Sequence, residues 1–353
     1  MLPAPVLGLW QGLKSTNKEI TKYFFKKNSK VCPVMEILLN SKLRLLKFGI
    51  EEAKFLKSPK DVKIFFSQKI PLFFPRFRGN LARKTEVPLA LQIEPTNNCN
   101  LSCKSCPRDR MSREKGFMDF DLFTKIVDDA AFCHVKRIHL FLHGEPLLHP
   151  RIVDMIAYIK KAGMGITIST NGMLLNRDKI ERILMSGVDS GDYINFSFLA
   201  GLKEPDEKGR ANILEFLRLR KALKINGPVL VPILYSKPGN LNEEKEFHSA
   251  WDGIVDHVKI VESVSNASHS WGTEGTDLPE RKCTCPNIWE RLTVCWNGDV
   301  PMCCMDISGA FLLGNMKTGT IREMWGSSKM NAFKEMHIAG KVNELELCRH
   351  CNI

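Results

Sequence analysis

The chain has 353 residues, 44% hydrophobic and 25% charged, with twelve cysteines and a formal net charge of +12. This is the composition of a soluble globular protein of two or three domains. It excludes a membrane-spanning chain, because no uncharged apolar run approaches the roughly 20 residues a span needs. The start, "MLPAPVLGLWQGLK", has neither a basic n-region nor an A-x-A site, so no secretory signal is read there and a cytoplasmic location is expected. In that reducing compartment, cysteines serve as metal ligands or stay free thiols more often than they form disulfides.

Taken in chain order, residues 1–87 form a basic, mainly helical extension. Residues 1–90 hold 18 Lys and Arg against 6 Asp and Glu, and the remainder of the chain is neutral. Peripheral membrane contact or attraction to another polyanion would therefore be a property of this segment alone, through basic and aromatic residues together. The alternative is a helical extension packed on the next domain with a solvated basic face.

From residue 88 to 263, short apolar runs alternate with helical stretches. "PLALQIEP", "RIHLFLH", "GITIST", "DYINFSFLA", "PVLVPILY" and "HVKIVES" read as six strands. Between them "DFDLFTKIVDDAAF", "PRIVDMIAYIKKAG", "NRDKIERILMSG", "EKGRANILEFLRLRKALK" and "NEEKEFHSAWD" read as helices, two of them stopped by glycine. The alternation predicts an α/β fold with a parallel sheet, open or curled into a partial barrel, whose ligands gather at the C-terminal strand ends. Residues 264–282, rich in Ser, Gly and Thr, read as a linker. Residues 283–353 form a third, cysteine-dense zone.

The first predicted strand runs into "EPTNNCNLSCKSCPRDRM", which spaces Cys99, Cys103 and Cys106 as C-x3-C-x2-C. Three thiolates can converge on one metal centre. A structural zinc site takes four ligands, and no fourth cysteine lies near. A [4Fe–4S] cluster is ordinarily held by four thiolates, so three leave one iron open to a small molecule. The loop resembles the signature of radical S-adenosylmethionine enzymes, which follows the first barrel strand. The resemblance covers residues 88–351 and implies a partial (β/α)6 TIM-like barrel. It also implies that Cys99, Cys103 and Cys106 hold a [4Fe–4S] cluster whose open iron chelates the methionine end of S-adenosylmethionine. In that family, reductive cleavage gives a 5′-deoxyadenosyl radical that abstracts hydrogen from substrate. Where the family often has an aromatic residue before the third cysteine, this chain has Ser105.

Further motifs follow the family's order. Gly144, Glu145 and Pro146 resemble its GGEP motif, with His143 in place of the first glycine. An ammonium needs acceptors, and a glycine lets backbone come close. Ser169, Thr170 and Asn171 precede Gly172 in a "TNG" stretch common near the cofactor. Ser197 matches a strand-end serine, while Leu199-Ala200 departs from the Asp-Gly that the family often has there. Arg210 resembles an arginine that pairs with the cofactor carboxylate, which a guanidinium fits bidentately. His139, His143 and His149 invite a metal reading, but His139 is expected to be a packed or hydrogen-bonded residue; His143 lies near the presumed site.

In the third zone, Cys285, twelve residues, Gly298, four residues and Cys303 resemble the opening of the family's C-terminal auxiliary-cluster (SPASM) domain. "GN" at 314–315, "TIREMW" at 320–325 and the final "CRHC" continue the likeness. With Cys351 near the end of the given sequence, the likeness is to the shortened, twitch form with one auxiliary [4Fe–4S] cluster. The expected ligands are Cys285, Cys303, Cys348 and Cys351, with Cys304 the rival of Cys303. "LTVCWNGDVPMCC" reads as a hairpin turning at Asn297-Gly298, whose alternation sends Cys303 and Cys304 to opposite faces. Cys283, Cys295, Cys133 and Cys32 are expected as free thiols. A four-thiolate zinc site also fits these residues taken alone.

A closed cluster suits electron transfer, so the expectation is an oxidoreductase acting on a carbohydrate-like or aminocyclitol alcohol, with the auxiliary cluster accepting an electron. The alternatives are a radical peptide-modifying enzyme and a non-catalytic iron–sulfur or zinc protein. The expected partners are a small sugar-like molecule or a peptide, and an external one-electron reductant such as flavodoxin or ferredoxin; no nucleic acid is expected.

Overall fold

The computed structural model describes residues 85–103, 106–199, 203–236, 239–262, 285–349 and 351. The basic segment up to residue 84, the linker 264–282, Ser105, Cys32 and Cys283 lie outside the described residues. Seven parallel strands make the main sheet: β1 (Ala90–Ile93), β2 (Arg137–Leu140), β3 (Gly165–Thr170), β4 (Tyr193–Leu199), β5 (Val229–Ser236), β6 (Lys259–Glu262) and β7 (Arg291–Val294). Their order is β6-β5-β4-β3-β2-β1-β7, so β6 and β7 are two open edges and the barrel is partial. The crossovers carry α1 (Phe120–Phe132), α2 (Ile152–Lys161), α3 (Arg177–Leu184), α4 (Lys203–Ala222) and α5 (Leu241–Trp251).

Side-chain alternation divides the sheet. Leu91, Ile93, Ile138, Leu140, Ile166, Ile168 and Phe196 point to one face, where they pack in a buried core with the helices. Their neighbours in sequence, Gln92, His139, Thr167, Ser169, Asn195 and Ser197, occupy the other face. Gln92 lies opposite His139, His139 opposite Thr167, and Ser169 opposite Asn195. Parallel sheets covered on both faces are ordinarily apolar on both. A polar second face marks the inside of the curl, where a polar ligand can be met.

Local rules set the helices. The Asp119 carboxylate accepts from the backbone of Asp121 and Leu122 at 2.9 and 3.0 Å and so starts α1. Leu122, Phe123, Ile126, Val127 and Ala130 then form one buried stripe. Gly163, with φ of 78°, closes α2 in the left-handed region that a glycine adopts without strain. Helix α4 begins at Lys203, four residues earlier than its polar start suggests in the sequence.

The six strands expected over residues 88–263 all form, and β7 adds a seventh to their sheet. This strand comes from the cysteine-dense zone and pairs parallel to β1, with Ala90 opposite Arg291 and Ile93 opposite Val294. The expected hairpin is therefore half right. The turn forms, with Gly298 at φ 91° and its N–H bonded to the Cys295 carbonyl at 2.9 Å. The strands it joins find other partners. β7 joins the main sheet, while β8 (Asp299–Pro301) pairs antiparallel with β9 (Leu312–Asn315). The rest of this zone is built from α6 (Asn287–Glu290), α7 (Ile321–Trp325) and α8 (Ser328–Ile338), with a small separate core of Ile288, Trp289, Phe333, Val342 and Leu347 beside Cys285 and Cys348. No helix among the described residues is long and apolar enough to cross a membrane.

Candidate functional site

The three-cysteine loop leaves the C-terminal end of β1, and hydrogen bonds fix both its limbs. Asn97, fully buried, donates to the Glu114 carbonyl at 2.8 Å and accepts from the Gly116 N–H at 2.9 Å. Thr96 donates to the Gly116 carbonyl at 2.5 Å. The residues before and after the cysteines are thus tied into a closed loop. Within it, the Cys106 N–H bonds the Cys103 carbonyl at 2.9 Å.

Arg108, buried, donates to the carbonyls of Cys99 and Leu101 at 3.2 and 2.8 Å. It orders the loop from within and brings a fixed positive charge to the thiols. Burial pushes the Cys99 thiol up, against the pull of a backbone hydrogen bond and of Arg108. Burial also raises Cys103, and the neighbouring charges of Cys106 and Cys99 add to it. Three thiols carried on one tied-down loop suit, by their chemistry, a soft and multiply charged cation that displaces their protons.

The second strand end packs onto this loop. A Cβ on Gly144 would lie 2.1 Å from the Thr96 carbonyl oxygen and 2.7 Å from that of Asn98. Only glycine allows so close an approach of the two backbones. The next residue bonds across the contact, Glu145 N–H to the Asn98 carbonyl at 2.8 Å.

The Glu145 carboxylate is buried, and both its oxygens are in use. One accepts from the Thr170 hydroxyl at 2.6 Å and the Leu147 N–H at 3.0 Å; the other accepts from the Asn171 N–H at 2.8 Å. Burial raises its pKa, and these donors oppose the rise. Asn171 in turn donates to the Asn100 side chain at 2.9 Å, inside the cysteine loop. Gly144, Glu145, Thr170, Asn171 and the cysteine loop are therefore one hydrogen-bonded assembly. The side chains of Glu145 and Thr170 are spent on each other and hold backbone in place. Pro146 opens the short turn that Glu145 caps.

Ser169 and Ser197 lie on the polar face with their hydroxyls 3.5 Å apart. Arg210 donates to the Ala250 carbonyl at 2.9 Å and stacks on Trp251, its guanidinium carbon 4.8 Å from the ring centroid. These contacts turn Arg210 toward α5 rather than toward a free carboxylate.

Two of the three histidines are placed by their surroundings. His149 is a packing residue: its Nδ1 accepts from the Arg151 N–H at 3.1 Å, so its Nε2–H donates to the Met118 carbonyl at 2.9 Å. His139 lies beside Phe141, and its Nδ1 has no hydrogen-bond partner among the described residues. Burial, then the charges of Arg291 and Arg137, push His139 down to about 3. In the unfolded chain a histidine takes its proton near pH 6.5. The unfolded chain therefore binds more protons between those values, and stability falls as pH drops through that window. His139→Gln is expected to flatten the acid limb. Urea melts at about pH 7 and about pH 5 should show a smaller loss of midpoint for the variant than for the parent chain.

At the far end of the chain, Cys285, Cys303, Cys304, Cys348 and Cys351 line one small pocket with Ile288, Met305, Phe333 and Leu347. This corrects the expectation that Cys303 and Cys304 face apart. β8 ends at Pro301, so strand alternation does not extend to residues 303 and 304, which sit in a turn. Burial holds Cys303 well above its ordinary pKa, with Cys304 next in effect, and lifts Cys304 to about 11. Cys295 is fully buried and raised by burial; Cys133 is buried against Asp129. Neither lines the pocket.

The two cysteine sites share a scaffold. Arg113, just past the cysteine loop, pairs bidentately with buried Glu94 at 2.8 and 2.9 Å, and its Nε donates to the Ile307 carbonyl at 2.8 Å. Glu94 also accepts from the Trp296 N–H at 3.2 Å. Arg108 and the Glu94–Arg113 pair were not among the residues singled out from sequence, whereas Cys304 was, as the rival of Cys303.

Residues 93–234 match the family model of the radical SAM superfamily, and residues 283–352 match that of an iron–sulfur cluster-binding domain. The chain belongs to the radical SAM superfamily, and its fold, its cysteine loop and a C-terminal SPASM-type domain agree in saying so. The cofactors are those of the two domains, a [4Fe–4S] cluster with S-adenosylmethionine and auxiliary iron–sulfur.

Among curated proteins, the chain is 44% identical over 100 residues to the tungsten-containing aldehyde ferredoxin oxidoreductase cofactor-modifying protein of Pyrococcus furiosus, a match covering 28% of each chain. It is 30% identical over 112 residues to the PqqA peptide cyclase of Gluconobacter oxydans, over 31% of this chain and 30% of that one. These matches span less than a third of either relative. Among solved structures, BtrN in complex with AdoMet and 2-DOIA has a TM-score of 0.52 at 19% identity, covering 76% of this chain and 94% of that one. Native anSMEcpe with bound AdoMet and Kp18Cys peptide has a TM-score of 0.53 at 15% identity, covering 73% and 87%. At such identities the likeness is one of fold.

Proposed function

We propose that this chain is a radical SAM enzyme that modifies a peptide, with the alcohol oxidation expected from sequence as the second reading. The observation that carries the first reading is the similarity to PqqA peptide cyclases, 30% identical over 112 residues and 31% identical over 114 residues in two of them. Alcohol oxidation rests on fold likeness and on the reasoning that a closed cluster serves as an electron sink.

Cys99, Cys103 and Cys106 would hold the cluster of the barrel, and Cys285, Cys303, Cys348 and Cys351 the auxiliary one, with Cys304 beside Cys303 on the same pocket. When bound, these groups and S-adenosylmethionine supply one-electron cleavage of the sulfonium, hydrogen-atom abstraction and a place for an electron. The chain's own part is positional. Gly144 brings strand-end backbone against the cysteine loop, so acceptors there can meet an ammonium. Glu145, Thr170 and Asn171 keep that backbone in register and leave Ser169 and Ser197 on the polar face. Gln92 and His139 line the same face deeper down. His139, held neutral, offers a hydrogen-bonding ring without a competing charge.

Deuterium labelling separates the readings. The enzyme is incubated anaerobically with S-adenosylmethionine, a one-electron reductant and either perdeuterated peptides encoded near its gene or deuterated aminocyclitols. The expected result is 5′-deoxyadenosine heavier by one deuterium with a peptide only. Transfer from the aminocyclitol alone would replace the peptide reading with the alcohol one.

A further inference from the structure

His337 lies on the last turn of α8, outside every motif described above, and is 1% exposed. Its ring bridges two of the C-terminal cysteines. The backbone N–H of Cys285 lies 3.3 Å from Nδ1, and the Cys348 sulfur lies 3.4 Å from Nε2. A backbone N–H can only donate, so Nδ1 is the acceptor and carries no proton. The ring proton is then on Nε2 and points at Cys348. Phe333 packs edge-on against the ring, with centroids 5.0 Å apart, and keeps it from turning. Ser327 caps the helix through the Met330 N–H at 3.2 Å and sets its register.

We propose that His337 donates an N–H···S hydrogen bond to the Cys348 thiolate and thereby sets the reduction potential of the auxiliary cluster. The proposal rests on Cys348 being a cluster ligand. Reduction adds negative charge to a cluster and its thiolates, and a donor aimed at one of those sulfurs stabilises that charge. The ring is buried, so no bulk water competes for the sulfur or replaces the bond when it is lost. The Cys285 contact serves a different purpose: it fixes the tautomer that makes Nε2 the donor. His337 is thus a positioning residue that acts through a ligand, and its effect is on electron affinity.

The test uses the full chain with Cys99, Cys103 and Cys106 changed to alanine, so that only the auxiliary cluster is read. It is titrated redoximetrically and followed by electron paramagnetic resonance. His337→Phe keeps the ring packing on Phe333 and removes both bonds; it is expected to lower the potential. The ratio of reduced to oxidised cluster at a fixed poise should fall at least tenfold, about 59 mV for a one-electron couple. His337→Gln, which can present an N–H to Cys348, is expected to restore most of the shift. An unchanged potential in His337→Phe with its iron retained overturns the proposal.

A second measurement needs no substitution at 337. In histidine-15N-labelled protein, the reduced auxiliary cluster is expected to show a nitrogen coupling and an exchangeable proton coupling. Absence of both overturns the proposal even where His337→Phe fails to hold its cluster. If the triple-alanine chain binds no iron–sulfur cluster at all, the reading of the C-terminal cysteines falls, and the role of His337 falls with it.

Discussion

Alanine at Cys99, Cys103 and Cys106 together is expected to lower reconstituted iron from about eight atoms per chain to about four. S-adenosylmethionine cleavage should be lost altogether, while the absorbance of the auxiliary cluster stays. The two cysteine sites are built from separate stretches of chain, so emptying one need not empty the other. The barrel loop keeps its shape through Asn97, Thr96 and Arg108, whose bonds to backbone carbonyls do not involve the cysteine sulfurs. Loss of all iron would instead count against the C-terminal cysteines as cluster ligands. Gly144→Ala should give the milder form of the same defect. Its Cβ would lie 2.1 Å from the Thr96 oxygen, so the loop must move away from the strand end.

Arg113→Ala is expected to destabilise the chain by about 3–5 kcal/mol, the usual cost of stranding a buried charge. Glu94 is fully buried, and its carboxylate would be left with the Trp296 N–H in place of a charged partner. The change also removes the bond to Ile307 and so loosens the C-terminal zone from the barrel. Replacing both partners with apolar residues, Glu94→Leu with Arg113→Met, should cost much less, because no charge is left unpaired. Urea denaturation of the single and double variants gives both values. A single variant as stable as the parent would show that the pair does not join the two parts.

What could be read from the sequence was what is local in it. Cysteine spacing, the glycine before Glu145 and the alternation of apolar runs with helices all act within a few residues, and each appears in the structure where it was expected. Long-range partners were not readable. Nothing in "RLTV" says that it will lie beside β1, some two hundred residues earlier, because apolar alternation fits an antiparallel hairpin and a parallel edge equally well. The Asn297-Gly298 turn pointed to the hairpin, and the pairing with Ala90–Ile93 decided against it. Cys303 and Cys304 were assigned to opposite faces by a strand that stops two residues earlier. Arg210 was read as a carboxylate partner, yet its contacts are Ala250 and Trp251, which only the packing of α4 near α5 brings to it. His337 had no motif at all; it is found by asking where its two ring nitrogens go.

Formation of 5′-deoxyadenosine tests the central claim most directly. The full chain is reconstituted anaerobically with iron and sulfide, mixed with S-adenosylmethionine and a strong one-electron reductant, and the nucleoside is quantified. The account predicts 5′-deoxyadenosine and methionine in equal amounts from the parent chain, and none from the chain lacking Cys99, Cys103 and Cys106. Intact S-adenosylmethionine with a fully reduced cluster, or bound zinc in place of iron, would contradict it.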